Sequence, residues 1–143
     1  AGHLDEFWPD VARSGWIGGD AEGWERGPYW LDGVTGIAYL LDDERLKAKV
    51  RRWAGYILDH QHPDGWFGPR SGEATYADHD VWPRVIVLKA LLQHLDATGD
   101  ERIVHLATGL LGHAEGAVLE AGGHVLRCRA ESCDLIVVDG RRA

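Results

Sequence analysis

The stretch Leu41-Asp42-Asp43-Glu44-Arg45-Leu46 is answered 57 positions later, counting from Asp43 to Asp100, by Gly99-Asp100-Glu101-Arg102-Ile103. Both stretches mark the tight turn inside a helical hairpin. A repeat of this size, one helix pair per unit, is the signature of a helical array or toroid. The 143 residues hold about 2.5 such units, whereas a closed ring of six pairs needs roughly 340 residues. Amphipathic hairpins expect a neighbour on each side, so a short array leaves apolar faces uncovered. The expected fold class is therefore all-α, built of antiparallel helical hairpins, with self-association through exposed apolar helix faces.

Four segments carry the periodicity. Trp30 to Leu41 places Trp30, Val34, Ile37, Ala38 and Leu41 on one stripe, with Pro28 just ahead, where a missing N–H costs nothing. Glu44 to about Gln61 repeats Leu46, Val50, Trp53, Ile57 and Leu58 at steps of three and four, with Asp42 or Asp43 as cap and Lys47, Lys49, Arg51 and Arg52 facing water. Pro83 to about Ala97 carries Val85, Leu88, Leu92 and Leu95, and Gly99 suits the left-handed position after the last turn. Asp100 caps a fourth helix, Glu101 to about Leu119, with Ile103, Leu106, Leu110 and Ala114 inward. His3 to Ala12 is a candidate short helix. From Glu120 the character changes. Gly122-Gly123 breaks the helix, and the runs at 124–129 and 133–138 read as strand-like with no evident partner. The expected division is 1–119, a helical domain, and 120–143, an atypical tail.

Composition narrows the function classes. The net charge is −8, which argues against a phosphate-tracking nucleic-acid binder and against an anionic-membrane binder. No apolar run reaches the ~18 residues that span a bilayer, and no secretory signal is present in this chain, which leaves the compartment open with the cytoplasm slightly favoured. Two cysteines, Cys128 and Cys133, exclude a disulfide-dense scaffold; five residues apart, they could bridge if the local turn allowed it. Seven tryptophans is heavy for this length, and most sit beside Gly, Pro or a charge. Such rings serve as structural plugs or as the stacking faces of a sugar cleft.

Three clusters could carry chemistry. Gly23-Trp24-Glu25-Arg26-Gly27-Pro28-Tyr29-Trp30-Leu31-Asp32-Gly33 joins acids, a guanidinium and three aromatic rings at a loop-to-helix junction, groups that hydrogen-bond sugar hydroxyls and stack on a sugar's C–H face. The alternative is a Glu25–Arg26 surface pair over buried rings. Gln61-His62-Pro63-Asp64-Gly65-Trp66-Phe67-Gly68-Pro69 is a turn whose ring packs back on the hairpin; Asp64 is its functional candidate. In Asp78-His79-Asp80-Val81-Trp82-Pro83-Arg84 the ligand candidates are Asp80, Trp82 and Arg84, and Asp80 also suits an N-cap. Neither Asp78-His79-Asp80 nor His124, Cys128, Cys133 and Asp134 has the spacing of a closed metal site, so no metal and no cofactor is expected. His60, His62, His94, His105 and His113 read as surface or partly buried helix residues. No Walker loop, nucleophile elbow or dinucleotide fingerprint occurs. A terpenoid-cyclase reading of Gln61 to Trp66 would require further Gln–Trp repeats and an acidic initiating motif, and neither is present.

Four blocks together, Trp24 to Gly33 with Ala38-Tyr39-Leu40-Leu41, Gln61 to Pro69, Trp82 to Leu91, and Ala97-Thr98-Gly99-Asp100, resemble the β-L-arabinofuranosidase-like glycoside hydrolases over about half the chain. The resemblance implies an (α/α)6 barrel, retaining glycosidase chemistry and a carbohydrate partner, a pentofuranose or related sugar, in the barrel mouth. It covers only the N-terminal part of that barrel. The family's acid/base Glu and zinc-held nucleophilic Cys match nothing here, and Cys128 and Cys133 do not map onto them. Carried over residue by residue, the substrate-binding candidates are Glu25, Arg26, Tyr29, Asp64, Asp80, Trp82 and Arg84, with no catalytic residue assigned. The expected function is a glycoside hydrolase-like, arabinofuranosidase-type partial catalytic domain; the alternative is a non-catalytic helical carbohydrate-binding or protein-interaction module.

Overall fold

The computed structural model describes residues 9–21, 23–70, 81–113, 118–121, 124–129 and 132–137, the last three stretches as backbone and register. Helices form where the periodicity predicts them: α1 (Arg26–Leu40), α2 (Glu44–Asp59), α3 (Trp82–Thr98) and α4 (Arg102–His113). Two single 3-10 turns, Pro9–Arg13 and Gly15–Ile17, precede them. Pro9–Arg13 overlaps the expected N-terminal helix, the rest of which lies outside the described residues. None of the helices among the described residues is long and apolar enough to cross a membrane.

The two echoed stretches are both helix starts capped by an aspartate. Asp43 stays extended, and its carboxylate accepts hydrogen bonds from the backbone N–H of Arg45 and Leu46 at 2.9 and 3.2 Å. It satisfies donors the first turn leaves orphaned. Asp42, at φ 54°, shapes the turn instead. Asp100 accepts from the backbone N–H of Arg102 at 3.2 Å. Gly99 closes α3 at φ 72°, the left-handed conformation that glycine adopts without a Cβ penalty.

Cross-helix partners fix the directions. Tyr29 on α1 meets Trp82 on α3, Asp32 meets Lys89 and Gln93, and Tyr39 meets His94. The partner number rises with residue number, so α1 and α3 run parallel. The Asp32–Lys89 pair is separated by the same 57 residues as the sequence repeat. α2 returns antiparallel to α1: Trp30 packs on Trp53 at 5.4 Å between ring centroids, and Lys47 lies over Tyr39 at the other end. Two hairpins thus stand side by side with their first helices adjacent.

Burial departs from the expected stripes in ways this arrangement explains. α1 has α2 on one side and α3 on the other, so Trp30, Leu31, Val34, Thr35 and Ala38 are buried, while Ile37 and Leu41, facing neither, are 46% and 70% exposed. α3 is hemmed in on several sides and buries Arg84, Ile86, Val87, Leu88, Ala90, Leu91, Leu92 and His94, with Val85 and Leu95 only half-buried. Ile103, Leu106 and Leu110 point inward on α4 as expected; Ala114 lies outside the described residues. Of the four α2 cations expected in water, Lys47 is instead folded against the helix, its side chain 13% exposed, pairing with Asp42 and Glu44.

The tail corrects the sequence reading in two respects. The fourth helix ends at His113 and not near Leu119, and Val118 already begins a strand. The strand-like runs do have partners, namely each other: β1 (Val118–Ala121), β2 (His124–Arg129) and β3 (Ser132–Val137) form an antiparallel sheet in the order β1-β2-β3. Consecutive strands are joined by only two residues, the length of a tight hairpin connection. Cys128 falls opposite Cys133 in the β2–β3 register.

Candidate functional site

Parallel α1 and α3 with antiparallel α2 gather three segments at one end of the bundle: the entry to α1, the exit of α2 with the loop 61–70, and the start of α3. Six of the seven predicted site residues belong to these segments; Asp80 lies outside the described residues.

Tyr29, in the first turn of α1, and Trp82, the first residue of α3, are brought together across 53 positions of sequence. The Trp82 indole Nε1–H donates to the Tyr29 hydroxyl at 3.3 Å. Both rings remain about half exposed, at 45% and 53%, as does Trp24 at 47%. Large aromatic faces held in water by a hydrogen bond, and not folded into the core, are available to a ligand. Glu25 occupies the N-cap position of α1 but its carboxylate makes no capping bond, and Arg26 beside it is exposed.

Asp64 and Arg84 have other work. Asp64 closes the 61–70 turn, accepting from the backbone N–H of Trp66 at 3.1 Å and pairing with Arg70. Arg84 is 2% exposed and corrects the expectation of a rim group. Its Nε donates to the Phe67 carbonyl at 3.0 Å and its Nη2 to the Pro69 carbonyl at 2.8 Å, while the guanidinium lies 4.0 Å from the Trp66 ring centroid and 5.4 Å from that of Trp16. A planar fork of donors bridging two carbonyls between indole faces is a clamp on the loop. Gln61 ties the same loop to α4, donating to the carbonyls of Gly65 and Leu106 at 2.8 and 2.9 Å. Gly65, at φ 86°, passes so close to α4 that a Cβ there would stand 2.1 Å from the Gly109 carbonyl oxygen.

Beside this clamped loop lies a cleft of about 360 Å³ walled by Trp16, Tyr56, His60, His62, Pro63 and Pro69. Its volume is within the range of small-ligand sites, about 300–1,000 Å³. His60 stacks on Tyr56 at 3.8 Å and 11°, and its Nδ1–H donates to the Tyr56 carbonyl at 2.8 Å. A carbonyl only accepts, so Nδ1 carries the proton of this bond. In the sequence His60 and His62 read as surface or partly buried helix residues. Their only signal was position, at the exit of a helix beside Pro63. Among the described residues no group of three or more His, Cys, Asp or Glu side chains converges on a point that could hold a metal ion.

Compared with protein-family models, with curated proteins and with solved structures, the chain matches none.

Proposed function

We propose that this chain forms the sugar-binding mouth of a glycoside hydrolase-like helical toroid, an arabinofuranosidase-type partial catalytic domain in which α1 and α3 are neighbouring inner helices. The observation that carries the reading is the Tyr29–Trp82 pair, two half-exposed rings linked at the parallel starts of α1 and α3. Stacking of such rings on a sugar's C–H face, with Glu25 and Arg26 at the same helix entry as hydrogen-bonding groups, is the chemistry of saccharide recognition. Hydrolysis asks for more, namely a proton donor and a nucleophile or base on opposite sides of the glycosidic bond. Among the described rim carboxylates Asp64 is engaged in its turn, and Glu25 alone does not make a pair. On this reading the described rim binds sugar and supplies no catalytic pair.

The test uses the purified chain, an aryl arabinofuranoside and free arabinose. Tryptophan fluorescence should change saturably with the sugar, and Trp82→Ala should weaken binding about tenfold or more, while leaving the unfolding midpoint nearly unchanged because the ring is exposed. No aryl alcohol should be released. Release that vanishes in Glu25→Gln would replace the binding reading with a catalytic one. Absence of any saccharide response in the parent chain would end both.

The second reading, a non-catalytic helical module that docks on a protein, draws on Ile37, Leu40 and Leu41, which are 46%, 87% and 70% exposed at the far end of α1. It predicts self-association or partner capture through that patch with no response to sugar.

A further inference from the structure

At the end of the bundle away from Tyr29 and Trp82, α1 and α3 meet through a buried polar pair. The Tyr39 hydroxyl lies 2.5 Å from His94 Nδ1, and His94 is 4% exposed. Both groups are held neutral by burial, which pushes the Tyr39 phenol up and the His94 imidazole down. Between a neutral phenol and a neutral imidazole the O–H is the stronger donor and the ring nitrogen the stronger acceptor. Tyr39 therefore donates to Nδ1, and the remaining ring proton sits on Nε2. The hydrogen bond that the His94 ring makes is at Nδ1, with Tyr39. His94 lines a second cleft of about 360 Å³, bordered also by Arg51, Gly55, Thr98, Asp100 and Arg102.

Two guanidiniums and one carboxylate, Asp100, border this cleft. The Thr98 hydroxyl donates to the His94 carbonyl at 2.7 Å. Asp100 is occupied by the Arg102 backbone N–H and by the Arg102 guanidinium at 2.9 and 2.7 Å. Arg51 spends one nitrogen on Glu44, at 3.0 Å, and a guanidinium has five N–H groups. Arg102 also reaches Asp59 at 3.6 Å. The floor is kept bare by Gly55, inside α2, where a Cβ would meet nothing within 4 Å. A glycine inside a helix costs roughly 1 kcal/mol against alanine, and no close packing here requires one.

We propose that this cleft binds a small oxyanion, the carboxylate or phosphate group of a small molecule, with His94 Nε2–H as the central donor, Arg51 and Arg102 flanking it, and Tyr39 as the positioning residue that holds the tautomer. The site is separate from the saccharide rim and does not depend on that reading.

The experiment titrates the full chain with inorganic phosphate and, in a second arm, with acetate, against sodium chloride at matched ionic strength, following the ¹⁵N and ¹H signals of the His94 ring. The free protein should show the proton on Nε2, and that signal should shift saturably below ~10 mM in the phosphate arm, the acetate arm, or both, which tells the two sources apart. Gly55→Leu, whose Cβ has open space, fills the floor and should abolish the shift, with Gly55→Ala as the control that leaves the fold unstrained. His94→Asn keeps an acceptor for Tyr39 and should weaken binding at least ~10-fold. A proton found on Nδ1, a response equal to that of chloride, or undiminished binding by Gly55→Leu would overturn the proposal.

Discussion

Arg84 brings a permanent charge into the interior, where an unpaired ion is very costly. Its fork repays this by bonding the Phe67 and Pro69 carbonyls and lying between the Trp16 and Trp66 rings. Arg84→Lys keeps the charge but loses the planar bridge, so the variant should be less stable by about 2–4 kcal/mol, read as a lower urea midpoint. His94 is the second buried polar residue with a measurable consequence. Burial holds its folded-state pKa below the 6.5 of an ordinary histidine. As pH falls through 6.5 the unfolded chain takes up a proton that the folded chain refuses, so stability drops from there until the folded pKa is reached. Arg51, Arg102 and Asp100 face His94, and the Arg102 guanidinium holds the Asp100 carboxyl below its usual range, so Asp100 titrates below that window. His94→Asn should flatten the decline between neutral pH and about pH 5 while leaving the steeper acid limb intact, as followed by thermal melts across pH.

At the scale of elements, the two hairpin turns share one device, an aspartate at the start of the second helix. Backbone N–H groups of Leu46 and Arg45 hold the Asp43 carboxyl below its usual range, and for Asp100 the Arg102 guanidinium does so, helped by the Arg102 backbone N–H. A depressed carboxylate pKa contributes stability above the unfolded value of about 4, and that contribution is lost as pH falls through the folded value. Asp100→Ala should destabilise by about 1 kcal/mol at neutral pH and shrink the acid limb. Asp43→Ala should act in the same direction, and the pair should be close to additive in melts because the caps serve different helices.

For the whole molecule the open question is what covers α1. Leu40 and Leu41 are 87% and 70% exposed beside Ile37, where an additional element of an array would pack. We expect concentration-dependent self-association in sedimentation velocity. The double variant Leu40→Lys, Leu41→Glu should raise the dissociation constant about tenfold or more without lowering the melting temperature, because both side chains are already in solvent. A concentration-independent monomer in the parent chain would remove self-association from the account.

Local signals carried much of this. The 57-residue echo, the capping aspartates, Gly99 and the helical periodicity are properties of a few neighbouring residues, governed by turn sterics and backbone hydrogen bonding, and all can be read along the chain. Which faces became core was decided by neighbours distant in sequence. Ile37 sits on an apolar stripe yet faces water because α2 and α3 flank the other sides of α1, and Arg84 looks like a surface cation yet is buried because two loop carbonyls receive it. The site divides the same way. Tyr29 and Trp82 each stand out in a local cluster and in the family resemblance, but their contact exists because α1 and α3 run parallel. His94 gave no sign at all, since one imidazole on a helix is ordinary until a phenol 55 positions away takes one of its nitrogens. Periodicity sets which elements form; the cost of burying an unpartnered polar atom, settled only when helices meet, sets which side chains face the core.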